Sequence, residues 1–314
     1  MFNNLLQAAF VISIFSGMLR IAVPILYAAL GELIVEKAGI LNLNVEGAMT
    51  MGAFVGFAVA RETGNLWLGV VGAAISGAIL SILMGFLCVN LKIDQTVTGL
   101  ALNIFASGFS FYIYRILYQD FVGGNMPTVQ PFAAYHIPLL SEIPIIGPIL
   151  FSQYALSYIA ILMVPLIFLF LYRTKYGLAL RCLGENPRTV DMKGLNVNKY
   201  QYLALIFGGM MSAIGGSFLT LASAGMFVRD IAAGRGWIAI AIVIFGNWKP
   251  VNILYATLFF AFLDAFQMQF QTLGIRIPYQ LVLTLPYVLT IFALIFSRRQ
   301  QGAPSSLGIP YSRE

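Results

Sequence analysis

The chain alternates long apolar runs with short polar clusters, and the runs have the length of membrane crossings. Val70 to Val89, Tyr154 to Tyr172, Tyr202 to Val228 and Ile277 to Ser297 contain no charged residue. Each provides roughly the 20 residues an α-helix needs to cross about 30 Å of hydrocarbon. Strand-length alternation of polar and apolar positions is absent, which argues against a barrel. The pattern predicts helices near 8–30, 45–60, 66–90, 95–115, 152–172, 201–222, 235–247, 251–270 and 279–297. The predicted fold is all-α and polytopic, with about nine complete or partial spans. Residues 1–314 form a single membrane domain, because no stretch between spans is long enough to fold alone.

Composition agrees with the pattern. Of the 314 residues, 60% are hydrophobic and 10% charged, and the mean hydropathy is +0.86. A soluble domain carries roughly 25% charged residues, so lipid must be the solvent for much of this surface. The net charge of +6 matters through its distribution, and no nucleic-acid partner is expected. Arg173, Lys175, Arg181, Arg188, Lys193 and Lys199 fall in one loop, 173–200, while Arg298, Arg299 and Arg313 lie in the tail. The positive-inside rule assigns both segments to the cytoplasm. Counting spans then puts Lys37, Lys92 and Lys249 inside, with Arg61, Arg115, Arg229, Arg235 and Arg276 outside. The N-terminus is therefore expected outside and the C-terminus in the cytoplasm. Residues 116–152, rich in proline, become an external loop or ordered lid.

Several chemistries are disfavoured by the residue inventory. The first span lacks a basic n-region, so no cleavable signal is expected. The lone histidine, His136, falls in the external loop, which leaves neither a histidine catalyst nor a His-ligated metal site. No phosphate-cradling G-x-x-x-x-G-K-[ST] loop occurs, so ATP-driven work would need another subunit to hydrolyse the nucleotide. Cys88 and Cys182 read as packing or surface residues. The chain is not expected to be an enzyme, and no cofactor or metal is expected on it.

Three segments break the apolar pattern. From Gly31 to Phe54 polar groups and glycines interrupt the run between two spans. Irregular backbone persists in a membrane only where protein or a water-filled cavity satisfies it. Asn42 or Asn44 can cap the helix that follows. Glu46, in its first turn, either stabilises that helix start or borders a transport pathway. The second segment is the basic loop, which contains a short helix with its own punctuation. Asn186 suits the N-cap, Pro187 the first helical position, Lys193 the C-terminal end and Gly194 a left-handed C′ residue. So short a helix needs a surface to rest on, in its own membrane domain or in a second protein. The third is Ala233 to Pro250, whose apolar part is short for a crossing and bounded by glycines. It suits either a buried core helix or one lining a substrate route.

At these segments the sequence resembles the permeases of the branched-chain amino acid, ribose and nucleoside ABC importer family. The likeness rests on Ala38-Gly-Ile-Leu-Asn-Leu-Asn-Val-Glu-Gly47 and Asp94-Gln-Thr-Val-Thr-Gly-Leu-Ala-Leu-Asn103. Tyr176-Gly-Leu-Ala-Leu-Arg with Gly184-Glu-Asn-Pro187, and Gly234-Arg-Gly-Trp-Ile-Ala with Phe245-Gly-Asn-Trp-Lys-Pro250, complete it. It is greatest to the shorter permease of nucleoside uptake systems. Asn44 stands where glycine is expected, and Trp237 where Phe or Tyr is expected. The resemblance implies a fold like the vitamin B12 and ribose permeases, in the bacterial cytoplasmic (inner) membrane. It implies a permease for nucleosides, or else for a simple sugar or branched-chain amino acid. The implied partners are an ABC ATPase subunit that uses the ATP, a second, longer permease making a heterodimer, and an extracytoplasmic substrate-binding protein. It also implies that Gly184, Glu185, Asn186, Pro187 and Arg188 seat in the ATPase as a coupling element. Candidate pathway residues are Asn42, Glu46, Asn103 and Trp237, polar or aromatic at broken or glycine-rich places. Asp264 joins them as an ionisable group within a span, where a purely structural pairing is the other reading. An ion-coupled secondary transporter remains the alternative of a different class.

Overall fold

The computed structural model describes residues 2–119, 126–136, 138, 141, 143–272 and 302–312. The ninth expected helix, near 279–297, and Arg276, Arg298, Arg299 and Arg313 lie outside the described residues. The other eight expected spans are all helical: α1 (Phe2–Lys37), α2 (Val45–Thr63), α3 (Leu66–Gly85), α4 (Gln95–Leu117), α6 (Ala155–Arg173), α9 (Val197–Phe218), α10 (Arg235–Phe245) and α11 (Pro250–Thr272). A short helix, α5 (Ile146–Leu150), precedes α6; α7 (Lys175–Glu185) and α8 (Pro187–Met192) lie in the basic loop. A two-residue antiparallel ladder pairs Tyr135 with Gln153 and His136 with Ser152 across the long loop.

Six helical stretches among the described residues are long and apolar enough to cross a membrane: α1, α4, α6, α11, and α3 and α9 with the π-helical turns that extend them. The turns run from Phe86 to Asn90 and from Leu219 to Ala224. Outward faces are apolar, as lipid requires: Ile79 is 63% and Ile104 75% exposed. α1 is central instead. Ile25, Ala28, Ala29, Leu30, Leu33 and Val35 are wholly buried on successive faces of the helix, the mark of a helix packed all round.

α9 packs on α1, α2 and α3 because its small residues let three backbones come close. Gly208 meets Gly31 of α1, Gly209 meets Gly77 and Ser81 of α3, and Gly216 lies on the Met49 carbonyl of α2. A Cβ at Gly216 would overlap that carbonyl, and backbone cannot swing aside as a side chain can. Gly216→Val is expected to cost about 3 kcal/mol. A thermal melt of the purified protein, which should drop sharply, checks this.

Two local expectations are corrected. The interruption expected from Gly31 onward begins only after Lys37, because α1 continues through residues 31–37 with Leu33 and Val35 buried and Glu32 and Glu36 hydrogen-bonded. The break is confined to residues 38–44. Neither Asn42 nor Asn44 caps α2 by a side-chain hydrogen bond. Asn42 is engaged elsewhere, and the buried Asn44 Oδ1 has no partner among the described residues.

Candidate functional site

The short break between α1 and α2 is held by side chains of α1 and α4. Glu32, one turn before the end of α1 and wholly buried, accepts from the Asn42 backbone N–H at 3.3 Å and from Asn42 Nδ2 at 2.9 Å. Asn42 Oδ1 in turn accepts from the Asn44 N–H at 3.1 Å, and Gln95 Oε1 accepts from the Leu41 N–H at 2.8 Å. Buried backbone groups outside a helix need such partners. They anchor α2 so that it starts beside Asn103, whose Cα adjoins Gly47.

A second break lies between α9 and α10. The carbonyls of Leu221 and Gly225 accept from the Phe132 and Val129 N–H groups of the long loop. The chain then turns back into the helical layer. Asp230, Ala233 and Gly234 all have positive φ, at 54°, 48° and 83°. For Asp230 and Ala233 that conformation costs about 1 kcal/mol or more each, a cost that persists only where the surroundings impose it. Ser107 Oγ donates to Asp230 Oδ1 at 3.0 Å. Ser107 lies about 18 Å along α4 from Gln95, near the helix middle.

The two breaks meet through Glu46. Its Oε1 accepts from the Gly234 N–H at 2.7 Å and its Oε2 from the Gly236 N–H at 2.6 Å. One carboxylate thus lies in the first turn of α2 and also caps the first turn of α10, where the helix dipole favours an anion. Gly236 permits this, since a Cβ there would press on the Glu46 backbone. The far end of α10 is also held by a carboxylate: Trp248 Nε1 donates to the buried Glu36 of α1. The eleven residues of α10 span only about 16 Å, half a crossing clamped at both ends.

Beside this junction is a half-open cavity of about 450 Å³. Glu46 and Thr50 line it from α2, Asn103, Ser107 and Phe111 from one face of α4, and Arg229 and Asp230 from the re-entering chain. Arg229 pairs with Asp230 at 3.4 Å and lies 5.4 Å over the Phe111 ring. Both charged side chains are about two-thirds exposed, so their pairing contributes little energy. The Asn103 carboxamide has no hydrogen bond among the described residues and is half-buried beside the cavity. The wall therefore offers a free amide, an aromatic ring and a hydroxyl.

Of the candidate pathway residues, Glu46 and Asn103 line this cavity together. Asn42 is tied to Glu32 in the interior. Trp237, 39% exposed, and Asp264 of α11, within electrostatic reach of Arg235, are not among its lining residues. Thr50, Ser107, Phe111 and Asp230 were missed. The spacing of Asn103, Ser107 and Phe111 at every fourth residue was the available signal on α4.

The basic loop forms a helix, an elbow and a second helix. Thr174 caps α7, and Asn186 Oδ1 caps α8 by accepting from Arg188 N–H at 3.1 Å and Thr189 N–H at 3.4 Å. Gly194 takes the left-handed conformation, with φ 75°. α7 was not anticipated; the sequence suggested only the shorter helix. Glu185, Asn186 and Arg188 are exposed and Pro187 is half-buried, whereas Gly184 is buried against the Lys37 carbonyl and Pro304. Residues 302–312 strap the elbow down. Ser305 Oγ donates to Glu185 Oε2 at 2.7 Å, Ser306 N–H donates to the Gly184 carbonyl, and Tyr311 OH donates to Asp191 Oδ2.

Comparison with known proteins agrees with this architecture. The chain is 34% identical, over 98% of its length and 99% of the relative's, to a putative glucose ABC transporter permease protein of Haloferax volcanii. It is 33% identical to a nucleoside ABC transporter permease protein of Lactococcus lactis, over 95% of this chain and 96% of that one. It is also 33% identical to a guanosine ABC transporter permease protein of Bacillus subtilis, over 92% and 93% respectively. No solved structure gives a significant match. Residues 14–294 match the family model described as branched-chain amino acid transport system / permease component, and the chain belongs to that family.

Proposed function

We propose that this chain is the membrane-spanning permease of an ATP-driven importer for nucleosides, working with separate ATPase subunits, a second, longer permease and an extracytoplasmic binding protein. The observation that carries the substrate class is the capping of α10 by Glu46. A helix start inside a membrane is ordinarily a site for an anionic ligand group. Here the protein's own carboxylate takes the Gly234 and Gly236 amides, leaving no such site for a phosphate or an amino-acid carboxylate. The adjoining wall suits a neutral solute: the Asn103 amide matches hydroxyls or base edges, and Phe111 offers a stacking face. The nucleoside and guanosine permeases among its relatives support the same class. A neutral sugar is the second reading, supported by the relative named as a glucose permease.

The cavity is open on one side, and a second permease facing this chain would close it. In this reading the end bearing Lys37, Lys92 and the 173–200 loop is cytoplasmic, as its excess of basic residues supports. The exposed elbow of Glu185, Asn186, Pro187 and Arg188 then meets the ATPase.

Uptake by the assembled complex in liposomes tests the proposal, with guanosine, uridine, ribose and glucose offered in turn. Nucleoside uptake that competes with none of the sugars supports it, and uptake of a sugar alone would overturn it. Asn103→Ala is expected to raise the KM for nucleoside about 10-fold, the loss of one to two hydrogen bonds, with the melting temperature unchanged.

A further inference from the structure

We propose that the groove between α6 and α9 at the basic end holds one anionic phospholipid that ties the coupling segment to the spans. This groove is separate from the cavity beside Glu46 and has a volume of about 730 Å³. Ile34 of α1 forms its floor, Leu166 and Phe170 of α6 and Leu203 and Phe207 of α9 its walls, and Leu180 of α7 one end. An apolar groove of this size on a surface solvated by lipid does not stay empty, because close packing is the rule for protein in hydrocarbon as in its own core.

The mouth decides which lipid. Lys199, beside Tyr200 in the first turn of α9, lines one side, and Tyr176 of α7 lines the other. Lys199 is exposed and has no ion-pair or hydrogen-bond partner for its ammonium among the described residues. Lys175 Nζ lies 5.4 Å over the Tyr176 ring, adding a second cation at the same rim. No acidic residue lines the groove among the described residues. Lys199 at the mouth, with Lys175 beside the Tyr176 ring that lines it, complements a phosphate head above an acyl chain. The lipid would bridge α7 to α6 and α9, two helices that leave a gap over Ile34 among the described residues.

The test uses the assembled complex in nanodiscs containing phosphatidylglycerol or phosphatidylcholine with a photoactivatable acyl chain, followed by peptide mapping. Labelling should concentrate on Leu166, Phe170, Leu203 and Phe207, and should be stronger with phosphatidylglycerol. K199E with K175E should reduce that labelling at least about fivefold per lysine, the loss expected when a cation near an anionic surface is removed. L203W, which fills the groove from an exposed position, should abolish it. Equal labelling of groove residues and the outward face of α4 would overturn the proposal, since that result is bulk lipid. So would labelling of the isolated chain that disappears in the complex, which would mean a partner helix covers the groove. The wild-type map stands as a test even if a variant fails to fold.

Discussion

Glu46→Ala is expected to cost about 3 kcal/mol or more and to reduce uptake to background. The substitution removes two charge-assisted hydrogen bonds and leaves the Gly234 and Gly236 amides without partners inside the helical layer. That loss is a large share of the stability of an ordinary domain. The start of α10 follows directly on the Arg229–Asp230 segment that lines the cavity, so a loosened cap displaces the Asp230 side chain that Ser107 holds. Glu46→Gln retains one oxygen acceptor but turns an NH2 group toward the second amide, so it should recover at most half of the loss. Melting temperature and substrate uptake of the two variants, measured in the same complex, check this. Wild-type values for Glu46→Ala would show that α10 finds other partners and that the junction does not depend on this carboxylate.

Replacing Glu185 and Arg188 together with Ala is expected to leave the protein folded while uptake falls. The fall should lie in the roughly 5–150-fold range that a coupling free energy spans. Both side chains are exposed on the elbow between α7 and α8. The Asn186 cap and Pro187 restrict the backbone of the elbow. Pro187→Gly, which leaves every charge in place, should reproduce the uncoupling by removing the fixed φ at the first helical position. Because Ser305 binds Glu185, Ser305→Ala serves as the control: it removes the hydroxyl contact of the strap, leaves the backbone one, and should leave uptake near wild type. Substrate-stimulated ATP hydrolysis that stays coupled to uptake in the double variant would remove the coupling role from this elbow. Loss of uptake with Ser305→Ala alone would transfer that role to the C-terminal strap.

The fold class was legible because the signal is one-dimensional. Twenty apolar residues in a row have one stable form in lipid, and a helix satisfies its own backbone without reference to the rest of the chain. The punctuation of α8 was legible for the same reason, since Asn186, Pro187 and Gly194 act on neighbours within a turn. The extent of α1 was not: Gly31, Glu32 and Glu36 look like an interruption until Asn42 and Trp248 are placed against them.

The sequence by itself determined a helical membrane protein, its family likeness, the positions of the eight spans that fall among the described residues and the capped elbow in its basic loop. Tertiary structure alone decided what the polar residues do. Glu46 meets partners 188 and 190 residues away, and Ser107 meets Asp230 across 123. It also decided that Asn42 serves the interior and that Trp237 and Asp264 stand apart from the cavity. The physical reason is range: helix formation in lipid is decided locally, whereas a buried carboxylate or amide is defined by whichever donor or acceptor the packing of distant helices brings to it.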